Sequence, residues 1–286
     1  MKKLIITTIV LLSISCVFSQ EPERNTASFN LGDGISFSFN DGDYEFNIYG
    51  FIKPTYIYKD EKIYTADGEY SNVYRQFKSQ NSNLFFKGFA KDEKLSFTIQ
   101  MDYSSSNPLV EAFIGYHFNE NSALYFGQKR VRYNNLEMVH YDDKLRFTDR
   151  GILSSTYTDD GEEFGLFFET SFGKSIIIKP TLAITSGDGK NSFGEDSRDS
   201  DKGGIKFGSR INVLPFGDFS IGNRLSTVDL MHEEKPKVQI GVAYSKNMGA
   251  SNQVGDGQGD FILYDNSGEE LFPDYSQLFL DLNLKY

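Results

Sequence analysis

Polar and apolar residues alternate without interruption over the ten residues from Lys94 to Tyr103. A period of two places successive side chains on opposite faces of a β-strand. About ten residues is also the length of a strand that crosses a bilayer at a tilt. Nine further segments show nearly the same alternation. The sequence therefore predicts an all-β fold, an antiparallel transmembrane β-barrel whose apolar rows face lipid and whose polar rows face water.

Ten strands and their connections follow from this alternation. The predicted strands are 43–59, 81–91, 94–104, 109–118, 122–132, 163–171, 175–186, 204–214, 237–247 and 275–286. Most connections alternate between tight turns and long loops, and the long loops are 60–80, 133–162, 187–203 and 248–274. Bacterial barrels have this asymmetry, with the long loops outside the cell. Segment 215–236 is long where a short turn is expected, and the pattern leaves open a structured turn or a missed strand pair.

The first residues have the features of a secretory signal. Lys2 and Lys3 precede an apolar run at 4–17, and cleavage after Ser19 defines a predicted signal peptide at 1–19. The alternative is lipidation of Cys16, although the preceding residues lack the leucine that such a site prefers. Residues 20–42 are predicted to be a short periplasmic segment or plug, and the barrel is predicted at 43–286. We expect the protein in the outer membrane of a Gram-negative bacterium.

Composition agrees with a membrane barrel. Aromatic residues make up 15% of the chain although its mean hydropathy is −0.41. A soluble protein would hide so many aromatic residues in a core, whereas a barrel distributes them over its outer surface. The net charge of −11 argues against a nucleic-acid partner. Acidic residues concentrate in loops 187–203 and 248–274; solvated loops are the simpler interpretation and calcium binding is the alternative. No metal or other cofactor is predicted.

The polar rows of the strands contain more basic than acidic residues. The bases are Lys53, Lys87, Lys91, Lys94, Lys179, Lys206, Arg210, Lys237 and Lys285, and the acids are Glu45, Asp102, Glu111, Glu169 and Asp281. Without the bases that flank a turn or the terminus, six bases stand against five acids. The strand at 122–132 has a mixed phase and is left out of this comparison. Because basic side chains in a pore favour anions, the rows predict a weak anion preference.

The order of several motifs resembles the phosphate-selective porin O and P family, especially its Bacteroidetes members. A strand ending in Gly127 to Lys129 leads into a long loop with Glu137, then into residues 147–150, and then into a strand that opens on Gly165 and Leu166. Segments 183–190, 210–217 and 234–244 also look like the family, so the match covers nearly all of the mature chain. This resemblance implies a porin for passive diffusion of small hydrophilic solutes or anions, with phosphate among them.

The resemblance also implies which residues line the pore. Residues 133–150, within the loop at 133–162, would fold into the barrel and narrow it. The candidates at the constriction are Lys129, Arg130, Arg132, Arg146 and Arg150, and those on the wall are Lys87, Lys179, Lys206 and Arg210. The alternative for Arg150 is an ion pair with Asp149 or Glu137 that fixes the loop. The expected partners are outer-membrane lipid, lipopolysaccharide, the barrel-assembly machinery, the solutes themselves and, in a trimer, other copies of the chain.

The chain departs from the family in three places. Arg132 and Tyr133 replace the proline and phenylalanine that are usual after the glycine strand, which implies a different entry of the loop. No dense ladder of arginines is visible, so a phosphate preference is not inherited. Relatives look longer than this chain, and several strands follow in them after the segment that matches 278–286. Ten strands would close only if 43–59 paired with 275–286, and Pro54 removes one donor from the first of these strands. We therefore expect an open or strained sheet that is part of a larger barrel, with the seam partner in sequence after Tyr286.

Two other classes of function compete with a porin. One is a barrel without a conducting pore, which acts as an adhesin or structural protein. The other is an enzyme embedded in a barrel, which would need an acid–base cluster at its rim. The best available cluster is His140 beside Asp142 and Asp143, and a histidine in a solvated loop is the simpler interpretation. The sequence therefore predicts no enzyme.

Overall fold

The structure is a computed structural model of the chain, and it describes residues 25–30, 33–66, 68–90, 93–147, 149–151, 154, 161–187, 189, 205–249, 264–269, 271 and 273–286. Strands dominate, as the alternating sequence predicts. They are β1 (Thr26–Asn30), β2 (Gly34–Phe39), β3 (Tyr44–Phe51), β4 (Pro54–Thr65), β5 (Gly68–Ser79), β6 (Asn83–Ala90), β7 (Leu95–Asp102), β8 (Leu109–Asn119), β9 (Ser122–Arg130), β10 (Glu162–Thr170), β11 (Ile177–Thr185), β12 (Lys206–Leu214), β13 (Lys237–Asn247) and β14 (Tyr275–Lys285). One helical turn, α1 (Leu136–Val139), lies between β9 and β10.

Twelve of the strands form one antiparallel sheet, which confirms the predicted all-β, antiparallel class. Their order is β1-β2-β3-β6-β7-β8-β9-β10-β11-β12-β13-β14. Within the described ranges the sheet does not close, because β1 and β14 are its two edges and do not pair with each other. Strand β3, in the region of the first predicted strand, pairs with β2 and β6 rather than with β14. The expectation of an open sheet is therefore confirmed for the residues described.

The prediction for the first hairpin was wrong. The predicted strand at 43–59 is two strands, since β3 ends at Phe51 and β4 begins at Pro54. The predicted long loop at 60–80 is mostly strand, because β4 pairs with β5 from Pro54↔Ser79 to Thr65↔Gly68. Proline is tolerated at the first position of a strand, where its missing donor costs little. These two strands form a separate ribbon that extends β3 and β6, and every residue of β5 is exposed.

The large sheet begins before the predicted start at residue 43. Strands β1 and β2, which lie within the predicted periplasmic segment at 20–42, form a hairpin at its edge. Strand β2 then pairs with β3 from Ile35↔Ile48 to Phe39↔Tyr44. The sheet therefore has twelve strands where ten were predicted for the whole chain. The predicted signal peptide at 1–19 lies outside the described residues.

The sheet exposes its apolar face and buries its polar face, which is the reverse of what soluble proteins do. On β14 the leucine row is exposed, with Leu280 at 75%, whereas Lys285 on the other row is 2% exposed. On β12 Phe207 and Ile211 are exposed, whereas Lys206 and Arg210 are buried. Folded soluble proteins bury Lys and Arg rarely and expose large apolar patches rarely. The polar face is thus the covered one, and the residues that cover it come from the connections.

Segment 215–236, which the sequence left open, is a structured turn. It contains a 3-10 turn at Ile221–Asn223, and no strand is described within it. The buried side chain of Asn223 bonds to the second half of the segment. Its Nδ2 donates to Asp229 Oδ1 at 2.7 Å and to Glu233 Oε1 at 2.8 Å. Its Oδ1 accepts the backbone N–H of Met231 at 3.1 Å. An asparagine can satisfy several backbone and carboxylate groups in this way without a ladder of strand hydrogen bonds.

Among the residues that the structure describes, no helix is long and apolar enough to span a membrane.

Candidate functional site

Residues 131–147 and 149–151, called the inner loop below, lie on the polar face of the sheet. Arg130 at the end of β9 donates to the carbonyl oxygens of Met138 at 3.0 Å and His140 at 3.3 Å. Arg210 of β12 donates to the carbonyl oxygen of Asn134 at 2.9 Å. The ring of Tyr141 meets Phe85 of β6 edge to face, with centroids 6.1 Å apart. The inner loop therefore covers the polar face from β6 to β12.

Local contacts give the inner loop a defined shape. Asn135 caps α1, because its Oδ1 accepts the backbone N–H of Met138 at 3.1 Å. The carboxylate of Glu137 accepts the N–H of Gly151 at 2.8 Å. Arg150 pairs with Asp142 at 2.8 Å and donates to the carbonyl oxygen of Glu137. An ion pair of Arg150 thus fixes the loop, as the alternative prediction had it, but the carboxylate belongs to Asp142 rather than to Asp149 or Glu137.

A single glycine explains the mixed phase of the strand at 122–132. Gly127 has φ +130°, and a Cβ on it would lie 2.3 Å from the carbonyl oxygen of Ala112. Only glycine adopts this conformation without strain. Beyond it Gln128, Lys129 and Arg130 are all buried, so the strict alternation ends there. Both basic residues therefore reach the covered interior, although they are adjacent in sequence.

Lys129 and Arg130 meet acidic residues on the neighbouring strand and loop. Arg130 forms an ion pair of 2.5 Å with Glu162, and the two side chains are 3% and 2% exposed. Lys129 pairs with Glu169 of β10 at 2.5 Å, and Arg132 approaches the same carboxylate at 3.5 Å. Two cations therefore share one carboxylate beside the start of the inner loop. Buried pairs of this kind are costly to break, since the remaining buried charge loses a close partner of opposite sign.

Further pairs follow on β11, β12 and β14. Glu163 accepts from Lys206 Nζ at 2.5 Å and from the Tyr133 hydroxyl at 2.7 Å. Arg210 pairs with Asp281 at 2.5 Å. Asp218 lies 2.6 Å from Lys179 and 3.0 Å from Arg224, so this carboxylate too is shared by two cations.

Seven of the nine predicted pore residues thus have a carboxylate partner. They are Lys129, Arg130, Arg132, Arg150, Lys179, Lys206 and Arg210. Of the other two, Lys87 donates to the Tyr49 hydroxyl at 2.8 Å and lies 5.3 Å from the centroid of the Phe85 ring. Arg146 is exposed and lies over Phe147, away from the buried pairs. The structure thus brings eight of the nine to the covered polar face and leaves Arg146 outside it.

Sequence reasoning missed four of the acids that neutralise these bases, namely Asp142, Glu162, Glu163 and Asp218. One signal could have found two of them. Glu162 and Glu163 stand opposite Arg130 and Lys129 in the antiparallel register of β9 and β10. Opposite charges on facing strands attract each other. The opposite charges at the two ends of the long loop could therefore have indicated that its flanking strands pair, although in the structure Glu162 bonds to Arg130 whereas Glu163 bonds to Lys206.

The prediction that His140 lies in a solvated loop was wrong. Its side chain is 1% exposed, and its Nδ1 has no partner among the described residues. The carboxylate of Asp142, which was considered as an acid–base partner, pairs with Arg150 instead. Burial, together with the positive charges of Lys285, Arg132, Arg150 and Arg210, lowers the pKa of His140 to about 3. The imidazole is therefore neutral at neutral pH.

This low pKa predicts that the free energy of unfolding decreases as the pH falls below about 6.5. An unfolded chain has a histidine pKa of about 6.5. The folded pKa is lower, so between pH 6.5 and 3 the unfolded state binds the extra proton and stability is lost as the pH decreases. The expected slope is at most about 1.4 kcal/mol per pH unit. Urea unfolding at pH 7.0, 6.0 and 5.5 measures it. A His140→Gln variant should lose most of this slope, and an equal slope in both proteins would contradict the prediction.

Two connections from opposite ends of the sheet meet on its polar face. The carbonyl oxygen of Lys144, in the inner loop, accepts the N–H of Thr227 at 2.9 Å and the hydroxyl of Ser226 at 3.2 Å. Lys285 of β14 donates to the carbonyl oxygen of Ser226 at 2.7 Å and to that of Asn223. We call these contacts the interlock. They join the loop between β9 and β10 to the turn between β12 and β13.

A polar cavity of about 490 Å³ lies between the inner loop and the wall. Its wall consists of residues from β8 to β13, among them His117, Tyr125 and Gln239. Arg132, Val139 and His140 line it from the inner loop, and Asp218, Arg224 and Leu225 line it from the turn between β12 and β13. The cavity is therefore the open part of the polar face that the two connections leave uncovered.

Within the described part of the chain, no group of three or more His, Cys, Asp and Glu side chains could hold a metal ion. The fold and the covered polar face define the class of this protein as an antiparallel all-β sheet with an exposed apolar face and an ion-paired, loop-covered polar face. No family model matches the chain, and no curated protein matches its sequence.

Proposed function

We propose that the chain forms the wall of an outer-membrane porin through which small hydrophilic solutes diffuse passively. The observation that supports this most is the reversed burial of the sheet, with apolar rows exposed and charged rows covered. Lipid is the environment that favours an exposed apolar face over a whole sheet. The inner loop narrows the lumen, since it lies on the polar face and is held there by Arg130 and Arg210.

A pore also requires that the edges β1 and β14 be joined in the membrane. An open edge in lipid would leave backbone amides and carbonyls unpaired at several kcal/mol each. Because all twelve strands alternate in direction, β1 and β14 are antiparallel to each other and can be joined directly or through further strands. The proposed partners are outer-membrane lipid, lipopolysaccharide and the barrel-assembly machinery, and a trimer remains the proposed oligomer.

The ion pairs support a weak rather than a strong preference for anions. Most of the basic residues on the polar face have carboxylate partners; Glu169 and Asp218 each serve two cations, and the buried Glu111 lies on the same face, so little net charge is left. We expect a permeability ratio that favours chloride over potassium by a few-fold. Reversal potentials of the refolded protein in planar bilayers, measured across a tenfold KCl gradient, test both the pore and its selectivity. Strong cation selectivity would contradict the predicted sign.

The second candidate is a barrel without a conducting pore that acts as an adhesin or structural protein. The specific observation in its favour is the ribbon of β4 and β5, which projects from the sheet with exposed Tyr56, Tyr64 and Phe77. Exposed aromatic side chains are typical of contact surfaces. The same bilayer measurement separates the two candidates. A protein that inserts and shifts its mobility on unboiled gels, but never conducts, would favour the adhesin.

A further inference from the structure

The cavity beside the inner loop has the size of a ligand site. Its volume of about 490 Å³ lies within the roughly 300–1,000 Å³ of sites that bind small molecules. Much of its wall consists of uncharged hydroxyl and amide side chains from β9 to β13. These are Ser122, Thr170, Thr181, Asn212 and Gln239. Such groups donate and accept hydrogen bonds without demanding a charge on the ligand.

The basic residues of this wall are already paired with carboxylates. All four of its lining bases have carboxylate partners: Arg132 with Glu169, Lys179 and Arg224 with Asp218, and Arg210 with Asp281. An entering phosphate or carboxylate would compete with these carboxylates and would be repelled by them. A neutral ligand meets no such opposition, and its hydroxyl groups can bond to the outer atoms of the pairs.

Two polar atoms at this cavity have no partner in the described part of the chain. They are Nδ1 of His140, a side chain that is 1% exposed, and Oγ1 of Thr181. A buried polar atom without a hydrogen bond costs about 1–3 kcal/mol. Both residues line the cavity, and rotation of either side chain toward it would let a ligand hydroxyl, which is both donor and acceptor, satisfy the atom. The rings of His117 and Tyr125 also line the cavity, with centroids 5.9 Å apart, and offer apolar surface to the carbon side of a sugar ring.

We propose that this cavity is a binding site for a neutral saccharide of one or two rings. The inference rests on the proposed porin function and names the class of solute that it favours. Hydroxyl groups of the sugar bond to Thr181, His140 and the amides of Asn212 and Gln239, while the lining bases, already bonded to carboxylates, bind a passing anion only weakly. A saccharide that occupies the cavity lies beside the inner loop, where it narrows the remaining passage.

The test is equilibrium binding of maltose and, separately, of sodium phosphate to the full chain refolded in detergent micelles. Isothermal titration calorimetry or saturation-transfer NMR measures both ligands. We expect maltose to bind and phosphate to bind at least tenfold more weakly. Thr181→Val removes one hydroxyl at nearly constant shape and should raise the maltose Kd at least fivefold. The matched control is Thr98→Val, at a covered hydroxyl of β7 outside the cavity, which should change the Kd by less than twofold.

Each outcome bears on one proposal. Absence of maltose binding, tighter binding of phosphate, or an equal effect of the two threonine variants would overturn the saccharide site. Conductance in planar bilayers is measured on the same sample. A conducting protein that does not bind maltose keeps the porin and overturns the site, whereas maltose binding without conductance keeps the site and overturns the porin. Gel mobility without boiling shows that each variant is folded.

Discussion

Replacing Arg130 with alanine is expected to destabilise the protein by about 3–5 kcal/mol. The substitution leaves the carboxylate of Glu162 buried without its cation, which lies 2.5 Å away in the native protein. It also removes the two hydrogen bonds that hold the carbonyl oxygens of Met138 and His140. Urea unfolding in detergent or vesicles measures the loss. If the protein is a porin, the released loop should also raise its single-channel conductance.

Arg146→Ala is the matched control for this variant. An arginine is again replaced by alanine, here within the inner loop, but Arg146 is exposed and away from the buried pairs, so the change should stay within about 0.5 kcal/mol. The double variant Arg130→Met, Glu162→Leu should recover part of the loss, since it leaves no buried charge alone. Equal losses in the two single arginine variants would show that the inner loop is not held by Arg130.

Replacing Lys285 with alanine is expected to cost about 1–3 kcal/mol. Its Nζ donates to the backbone carbonyls of Asn223 and Ser226, and both acceptors lose this donor when the side chain is shortened. The turn at 215–236 should loosen, and with it the contact between Thr227 and Lys144. The rate of hydrogen exchange at the amide of Thr227 measures this loosening most directly, because this N–H donates one of the hydrogen bonds of the interlock.

Lys237→Ala serves as the control for Lys285. The two lysines face each other in the register of β13 and β14, so the substitutions alter the same end of the same strand pair. Lys237 donates to the carbonyl oxygen of Phe216 at an exposed position, where water can replace it. Its removal should leave exchange at Thr227 unchanged. Faster exchange in both variants would mean that general fraying of the strand ends, rather than the interlock, controls the turn.

The alternation of polar and apolar residues was sufficient to predict most strands of the sheet. Strands such as β7 and β13 lie within a few residues of their predicted bounds, because a period of two is a local property of the chain. The alternation failed at β4 and β5, where charged residues such as Asp60 and Glu61 occupy both rows. A ribbon solvated on both faces needs no apolar row, so its sequence does not alternate.

The site was harder to predict because its contacts join residues that are far apart in the chain. The bonds of Lys285 reach 59 and 62 residues back, to Ser226 and Asn223. Nothing in the local sequence of β14 indicates these acceptors. His140 looked solvated because its neighbours are Asp142 and Asp143, yet burial follows from the packing of the whole inner loop. The basic candidates themselves were visible, but their pairing depends on register and loop path.

The strand order has a consequence for how the protein reaches its final form. Each strand of the large sheet pairs with the next one in sequence, except that β3 pairs with β6. Such a sheet can grow by adding one strand at a time, and even the long connections cost little additional entropy, because the cost of closing a loop grows slowly with its length. The step from β3 to β6 is different, because β4 and β5 lie between them. Once β4 and β5 have paired, they bring β3 and β6 side by side. Formation of the ribbon therefore promotes formation of the sheet from which it projects.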